Sequence, residues 1–348
     1  MRLLSTSGAD IALAAAGIKA GKLAAFPTET VYGLGGNAYD GKALAAIFEA
    51  KGRPRFDPLI VHIAETAALE ILADLEALEG GMKEKLRLLA GRFWPGPLSL
   101  VLPKRDIVPG LASAGLSTLA VRFPSHPAAR QLIRLSTGAV AAPSANLFGR
   151  LSPTRAEHVA EQLGGRIDFI IDGGPAALGV ESTVLDLSAG GPAILRQGGV
   201  PQEAIEDLIG PLAAPPAPTA GPAGEAPRGG APRSPGMLRS HYAPRTPLRF
   251  YPPGAVLPFP LPPGEAAIFW SGSGREARLE RAGAAGIEER DVIFCLTEEG
   301  DPLEGAANLF ALLHDLDGRG YRALHAEAAP GEGLGRAVND RLSRAVAR

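Results

Sequence analysis

The chain has 348 residues, of which 46% are hydrophobic and 21% charged, a balance that suggests two domains with ordinary buried cores. A formal net charge of −2 argues against a general nucleic-acid or membrane-surface binder, although local basic patches stay open. The single cysteine, Cys295, excludes a disulfide framework and a cysteine-based zinc site within one chain, and it favours a reducing compartment.

The N-terminal 22 residues contain an apolar stretch, but they do not read as an export signal. Asp10 and Lys19 interrupt the stretch, and its pattern is that of an amphipathic helix. No apolar run reaches the roughly 18 residues that a membrane-spanning helix needs. The expected location is therefore the cytoplasm, with no membrane partner.

Residues 1–210 alternate between short apolar runs and amphipathic segments, which predicts an α/β or α+β domain with a large mixed sheet. The predicted helices cover residues 8–20, 40–50, 65–90, 125–136, 154–164 and 201–209. The second of them begins at a capping Asp40 and ends near Gly52. The predicted strands are KLAAFP, PLIVHI, PLSLVLP, TLAVRFP, AVAAPSA, DFIIDG, STVLDLS and PAILRQG.

Residues 211–235 are rich in proline, alanine and glycine, a composition that predicts an extended linker. We therefore divide the chain into a domain at 1–210, a linker at 211–246 and a second domain at 247–348. The second domain has predicted strands in LRFY, AAIFW, DVIFCL and YRALHAEAA and helices near 302–318 and 333–347. This alternation predicts a small Rossmann-like parallel sheet, although SGSGREARLE lacks the spacing of a phosphate fingerprint.

The stretch FPTETVYGLGG is predicted to be a polar loop that follows the first predicted strand. Pro27 ends that strand, and the glycines permit positive φ angles and close backbone approach. Hydroxyl and carboxylate groups come from Thr28, Glu29, Thr30 and Tyr32. From chemistry alone, a surface turn and a binding site are about equally plausible interpretations.

Further polar groups recur at predicted strand ends. Lys51, Arg53 and Arg55 follow a helix, where they either complement its dipole or capture an anion. A histidine within a strand, such as His62, is more often structural than functional. The other candidates at strand ends are Thr118, Arg122, Ser144, Asn146, Ser152, Thr154, Glu181, Ser182, Thr183 and Arg196.

Each of these signals has an ordinary structural explanation; Ser152 or Thr154, for example, could simply cap the helix at 154–164. Together they predict polar side chains that converge where α/β sheets bind ligands. The set has many cations and hydroxyls, but no carboxylate pair and no Ser–His–Asp series at recognisable spacing. That chemistry favours binding of polyanions over hydrolysis.

Nine ordered motifs resemble the YrdC-type L-threonylcarbamoyladenylate synthase family over residues 8–210: FPTETVYGLG, KGRP, PLIVHI, FWPGPLSLVL, VRFPSHP, APSAN, SPT, GVESTV and ILRQG. The segment SPGMLRSHYAP and the C-terminal unit resemble the longer branch of that family, which carries an extra domain. The resemblance implies a YrdC-like twisted mixed sheet with flanking helices.

The resemblance also implies a reaction. L-Threonine, bicarbonate or CO2, and ATP would give L-threonylcarbamoyladenylate, pyrophosphate and water. The product would feed a tRNA threonylcarbamoyl transferase that modifies the adenosine next to the anticodon, so tRNA itself is an indirect partner. Mg²⁺ is expected with ATP, with few direct protein ligands and no dedicated metal site.

The resemblance assigns roles to particular residues. It places the threonine substrate on Thr30, His62, Arg122, Ala142 and Ser182. It places ATP on Arg53, Asp57, Thr118, Ser144, Ser152, Arg196 and Tyr242. Lys51 and Arg53 are the expected catalytic cations, since two anions must be brought together while pyrophosphate leaves.

Two of these assignments carry a condition. The family often has asparagine where this chain has Asp57, and a carboxylate suits a ribose or adenine contact better than a phosphate contact. Tyr242 lies beyond the linker, so residues 211–245 would have to fold back over the pocket as a lid that excludes water.

Two alternative functions stay open from sequence. One is an RNA-binding module with a concave basic surface, which the charge balance disfavours. The other is the same adenylate chemistry with a different carbamoyl donor, which would need zinc-finger or transferase domains; with one cysteine, this chain cannot contain the former.

Overall fold

The computed structural model describes residues 1–214, 241–285 and 290–346, and it contains two β-sheets. The first is a ten-stranded mixed sheet. Its strands in chain order are β1 (Arg2–Leu4), β2 (Ala24–Phe26), β3 (Gly33–Asn37), β4 (Ile60–Ile63), β5 (Leu98–Pro103), β6 (Thr118–Arg122), β7 (Ala139–Ala141), β8 (Phe169–Ile171), β9 (Thr183–Asp186) and β10 (Ala193–Arg196). The predicted large mixed sheet is therefore confirmed.

The spatial order of this sheet is β1-β8-β2-β3-β7-β4-β6-β5-β9-β10. The sheet contains both parallel pairs, such as β4 with β6, and antiparallel pairs, such as β5 with β6. The central strands are buried along their whole length, as expected for a sheet with packed faces. Every apolar run predicted as a strand contains one, and β1 and β3 were missed.

Seven helices accompany this sheet: α1 (Gly8–Lys19), α2 (Gly41–Lys51), α3 (Leu69–Leu72), α4 (Met82–Phe93), α5 (Pro127–Leu135), α6 (Ala156–Leu163) and α7 (Gln202–Ile209). Helix α2 begins and ends as predicted. The Asp40 carboxylate accepts from the Lys42 amide at 2.8 Å, and Gly52 closes the helix with a φ of 61°.

The prediction of one helix over residues 65–90 is wrong. The segment contains α3, two 3₁₀ turns at Thr66–Ala68 and Leu75–Ala77, and then the start of α4. Gly80 and Gly81 have φ angles of 58° and 80°, a left-handed conformation that interrupts a helix.

The second sheet has four parallel strands, β11 (Leu248–Tyr251), β12 (Glu265–Ser271), β13 (Ile293–Thr297) and β14 (Ala323–Glu327), in the order β11-β14-β12-β13. Three helices connect them or follow them: α8 (Gly272–Ala284), α9 (Pro302–Asp317) and α10 (Gly333–Val346). The predicted parallel sheet is confirmed. Helix α8, which includes SGSGREARLE, was not predicted.

The glycines of FPTETVYGLGG form strand β3 and not a loop. Gly33, Gly35 and Gly36 have ordinary extended backbone angles, so the predicted need for positive φ is wrong. Close packing explains these residues instead. A Cβ atom on Gly35 would lie 2.7 Å from Phe26 Cε1 and 2.8 Å from Val140 Cγ1.

Residues of both domains share one hydrophobic core. Val31, Leu151 and Val180 from the first domain pack with Phe310 and other apolar residues of the second domain. At Gly179, with a φ of 73°, the chain passes so close to α9 that a Cβ atom would lie 2.5 Å from the Ala306 carbonyl oxygen. This packing brings α9 and α10 beside the loops of the first sheet.

Within the described residues, no helix has the length and apolar content needed to cross a bilayer. Most of the predicted linker and lid, residues 215–240, lies outside the described residues, and the chain is described again from His241.

We predict that Gly35→Ala destabilises the protein and that Gly41→Ala does not. The added methyl group at Gly35 overpacks the space between Phe26 and Val140, at a cost of about 1–3 kcal/mol. At Gly41, the first residue of α2, nothing lies within 4 Å of the new methyl group, and the change should be neutral or stabilise by about 0.4–1 kcal/mol. Urea unfolding of both variants measures the difference, and equal free energies of unfolding would contradict this account of β3.

Candidate functional site

A cavity lies where strand ends and loops of the first sheet meet the segment at Tyr242. It is lined by Thr28, Thr30, Val31, Gly33, Arg53, Ile60, His62, Arg122, Ala142, Pro143, Ser144, Glu181, Ser182, Arg196, His241 and Tyr242. Nine residues predicted for the site are among them, from Thr30 near the N-terminus to Tyr242. The structure thus joins segments that are up to about 200 residues apart in sequence.

Arg122, at the end of β6, is held by a carboxylate from the loop after β2. Its Nη2 atom donates to Glu29 Oε1 at 2.6 Å, and its Nε atom donates to the Gly96 carbonyl at 3.3 Å. Burial raises the pKa of Glu29, but the Arg122 charge and hydrogen bonds outweigh it, so the pKa lies below its ordinary value. Glu29, which sequence reasoning left without a role, orients Arg122.

His62 lies beside Arg122, because β4 and β6 pair in parallel with these two residues in register. Its Nδ1 atom is 3.2 Å from the Ile60 carbonyl oxygen, which can only accept. Nδ1 therefore carries the ring proton, and Nε2 is an acceptor. Burial and the Arg122 charge lower the pKa of His62 to about 3, so the ring is neutral at physiological pH.

The hydrogen bonds around Thr30 also make its hydroxyl an acceptor toward the cavity. The Thr28 hydroxyl donates to the Val31 carbonyl at 2.6 Å, so the hydrogen between the two threonine hydroxyls, 2.8 Å apart, comes from Thr30. The remaining lone pairs of the Thr30 hydroxyl can only accept. Both hydroxyls are buried, and Thr28 orients Thr30 as Glu29 orients Arg122.

Arg53 lines the cavity and forms a buried ion pair with Asp57, which lies behind it. Its Nη2 atom is 2.9 Å from Asp57 Oδ2 and donates to the Pro58 carbonyl at 2.8 Å. Lys51 Nζ donates to the carbonyls of Ser144 and Asn146 at 2.6 and 2.5 Å. Burial, together with the Arg53 charge, lowers the pKa of Lys51 well below its ordinary value.

Ser182 and Arg196 contact each other directly. Arg196 Nη2 donates to the Ser182 carbonyl at 2.9 Å and to its hydroxyl oxygen at 3.1 Å. The Ser182 hydroxyl also lies 2.8 Å from that of Ser99 on β5. These contacts fix one guanidinium and one hydroxyl at the edge of the sheet where β9 begins and β10 ends.

Glu181 contributes the carboxylate of the cavity wall. Its Oε1 atom accepts from the Ser152 hydroxyl at 2.5 Å, and its Oε2 atom accepts from Arg341 Nε at 2.7 Å. Burial disfavours the ionised carboxyl, but the Arg341 and Arg196 charges outweigh it and lower its pKa. The predicted helix cap at Ser152 or Thr154 is wrong, since α6 follows Arg155 without a side-chain cap.

His241 and Tyr242 close the cavity from the segment that follows the undescribed residues. Both side chains are buried, with ring centroids 4.1 Å apart, and Tyr242 has a φ of 65°. Burial, with the charges of Arg53, Lys51 and other cations, lowers the pKa of His241 well below its usual value. Tyr242 therefore reaches the cavity, as predicted.

Four predicted site residues do not line the cavity in the described structure. Thr118 lies at the opposite end of β6 from Arg122, and Ser152 contacts the wall through Glu181. Lys51 and Asp57 lie behind Ser144 and Arg53, respectively. The predicted nucleotide contacts of Thr118, Ser152 and Asp57 and the predicted catalytic role of Lys51 stay predictions.

From the sequence, Thr28 and Glu181 were candidate polar groups without an assigned role, and His241 was not singled out, although all three line the cavity. Each is adjacent to, or two residues from, a residue that was assigned: Thr30, Ser182 and Tyr242. The signal available in the sequence was that each of them lies in the same motif as an assigned residue. The partner that defines each role is set by the fold.

Three guanidinium groups and one carboxylate line the cavity, and that carboxylate is bound to a further arginine, Arg341. The arrangement favours an anionic ligand. Within the described ranges, no group of three or more histidine, cysteine or acidic residues could hold a metal ion. Neutral acceptors, Thr30 and His62, lie beside the cations, so the cavity can also bind a group that donates hydrogen bonds.

The fold and the cavity define a two-domain α/β protein with a cation-rich ligand site at the strand ends of the mixed sheet, closed by His241 and Tyr242. A family profile described as "Telomere recombination" matches residues 16–198, and one described as "Threonylcarbamoyl-AMP synthase, C-terminal domain" matches residues 200–347. The chain therefore belongs to the threonylcarbamoyl-AMP synthase family, in its two-domain form.

Two relatives that match almost the whole chain support this membership. The threonylcarbamoyl-AMP synthase of Pyrococcus abyssi is 44% identical over 338 residues, covering 96% of this chain and 93% of the relative. That of Bacillus subtilis is 42% identical over 344 residues, covering 99% and 94%. The crystal structure of P. abyssi Sua5 complexed with L-threonine superposes with a TM-score of 0.81 at 40% identity, covering 99% of this chain and 98% of that one.

We predict that the His62 ring does not titrate between about pH 8 and pH 5, because its pKa lies near 3. Since this pKa is depressed below the unfolded value, the contribution of neutral His62 to stability is complete above about pH 6.5 and is lost as the pH falls toward 3. NMR of histidine-labelled protein measures the titration, and a His62→Gln spectrum identifies the signal. A midpoint near pH 6.5 for that signal would contradict the burial argument.

Proposed function

We propose that this protein condenses L-threonine, bicarbonate or CO2, and ATP into L-threonylcarbamoyladenylate, with release of pyrophosphate and, when bicarbonate is the carbon source, of water. The observation that carries the proposal is the cavity itself, in which three arginines surround two neutral acceptors. The family membership over the whole chain agrees with it. The product would pass to a transferase that modifies tRNA next to the anticodon.

The His62–Arg122 pair suits an α-amino acid. The two residues are in register on neighbouring strands, so an acceptor and a two-pronged donor face the cavity side by side. An amino acid presents its amine and carboxylate at a similar short separation, and Arg122 would bind the carboxylate. The P. abyssi relative has been crystallised with L-threonine, which supports threonine as the amino acid.

The amine would then be held where it can form a carbamate. Thr30 and His62 Nε2 accept from N–H groups and do not repel the amine, since His62 is uncharged. The new N–C bond joins the nitrogen of the uncharged amine to the carbon of bicarbonate or CO2. With bicarbonate, the hydroxyl group leaves as water together with one amine hydrogen; with CO2, that hydrogen is released as a proton. These residues position the amine; the chemistry is that of the bound reactants.

In the second step, a carbamate oxygen attacks the α-phosphorus of ATP and pyrophosphate leaves. Both reactants are anionic, so fixed positive charge lowers the barrier more than a protein nucleophile would. Arg53 and Arg196 are the cations we assign to the nucleotide side, with Ser144 and Tyr242 beside them. Lys51 supports this side by holding the carbonyls of the Ser144 loop.

Mg²⁺ would be brought into the cavity by the triphosphate oxygens of ATP, which would bind it. Glu29, Asp57 and Glu181, the carboxylates in or behind the cavity wall, are each bound to an arginine. A metal ion would therefore gain its ligands mainly from phosphate and water, as Mg²⁺ commonly does in nucleotide sites. The ion would neutralise charge on the leaving pyrophosphate.

We predict that Arg122→Ala lowers kcat/KM for threonine by about 100-fold or more, because the carboxylate loses a charged two-pronged donor. Arg134→Ala is the matched control, since Arg134 makes an exposed ion pair with Glu65 and neither residue lines the cavity. Pyrophosphate release is measured with ATP, bicarbonate and threonine together, and with each omitted in turn.

Pyrophosphate release by the unmodified protein that continues without threonine would refute the synthase proposal. RNA binding without turnover would instead favour the RNA-binding module. Equal kcat/KM values for the Arg122 and Arg134 variants would show that Arg122 is misassigned. Thermal unfolding of each variant separates loss of contact from loss of fold, since Arg122→Ala leaves Glu29 without its cation.

A further inference from the structure

Arg341 on α10 is a buried arginine of the second domain that reaches the cavity wall of the first. Its side chain is only 1% exposed. Nε donates to Glu181 Oε2 at 2.7 Å, and Nη2 donates to the Gln197 carbonyl at 2.9 Å. The guanidinium carbon also lies 5.0 Å from the centre of the Tyr242 ring, a cation–π contact.

These three partners belong to three separate wall segments. Glu181 precedes Ser182, Gln197 follows Arg196, and Tyr242 closes the cavity from the other side. A single guanidinium therefore ties together the segments that carry a hydroxyl, a cation and an aromatic ring of the site. Asp340 binds the remaining Nη1 atom, so every nitrogen of the group has a partner.

We propose that Arg341 is a positioning residue for the adenylate-forming reaction, through which the second domain sets the geometry of the nucleotide side of the cavity. The inference rests on the proposed function and adds to it a role for the C-terminal domain. Arg341 acts through Glu181, Gln197 and Tyr242, which it holds in place.

Competition between Arg341 and Arg196 for the Glu181 carboxylate gives the physical reason for this positioning role. Glu181 and Arg196 both line the cavity, the charge of each affects the pKa of the other, and Arg196 is a cation that we assign to the nucleotide side. While Arg341 neutralises Glu181, the Arg196 guanidinium stays on Ser182. Without Arg341, the buried Glu181 carboxylate would have to take Arg196 as its partner, because an unpaired buried charge is costly.

The test compares Arg341→Met with Arg336→Met. Arg336 lies on the same helix and also contacts the first domain, through Gln202 and Glu203, but these residues do not line the cavity. For Arg341→Met we expect KM for ATP to rise about tenfold and kcat to fall, as expected when a charged contact is lost. The Kd for threonine, measured by calorimetry without ATP, should change less than about twofold, a split that general unfolding would not produce.

Two further variants separate positioning from folding. In Glu181→Gln/Arg341→Met the competing carboxylate is gone, so KM for ATP should recover part of the way toward the unmodified value. Arg341→Lys keeps the charge but not the planar fork, and it should restore less activity than the native arginine. Thermal unfolding of each variant confirms that the assays are run on folded protein.

An Arg341→Met variant whose kcat and KM for ATP lie within about twofold of those of Arg336→Met would overturn the inference. A double variant with the same or a higher KM for ATP than Arg341→Met would overturn the charge competition. If the proposed function itself is wrong, the result is different: the unmodified protein releases pyrophosphate without threonine.

Discussion

Buried positive charge is the constraint on which this structure depends. Arg53, Arg122 and Arg196 face a cavity, and a guanidinium removed from water is stable only with oxygen partners around it. Backbone carbonyls next to the strands supply some of those oxygens, at Gly96, Pro58 and Ser182. Carboxylates supply the others. The oxygens that make the charges tolerable also fix their directions, so stability and site geometry have one cause.

The second domain takes part in this arrangement and is not merely attached to it. Its helix α9 packs against the backbone at Gly179, and its α10 contributes to the charge balance of the cavity wall. His314 of α9 also stacks on His158, with centroids 3.8 Å apart, and contacts the Ser152 carbonyl. Through these contacts, residues of both domains hold the loops of the first sheet that form the cavity wall.

The sequence was sufficient for the strands with apolar runs and for the residues in ordered motifs. Strand β3 was missed because glycines have little intrinsic preference for strands, and only the packing of Phe26 and Val140 around Gly35 explains them. The break in the helix over 65–90 was signalled by Gly80 and Gly81 and was overlooked. The roles of Glu29 and Glu181 were out of reach, since their partners lie 93 and 160 residues away.

The directed hydrogen bonds around the cavity determine which way round a ligand can bind. Toward the cavity, Thr30 and His62 can only accept, Arg122 can only donate, and three different segments hold these groups in place. A ligand with a donor group at one end and an acceptor group at the other can satisfy all three residues in one orientation, while the reversed orientation leaves them unsatisfied. The polarity of the bound ligand thus follows from where these hydrogen atoms lie.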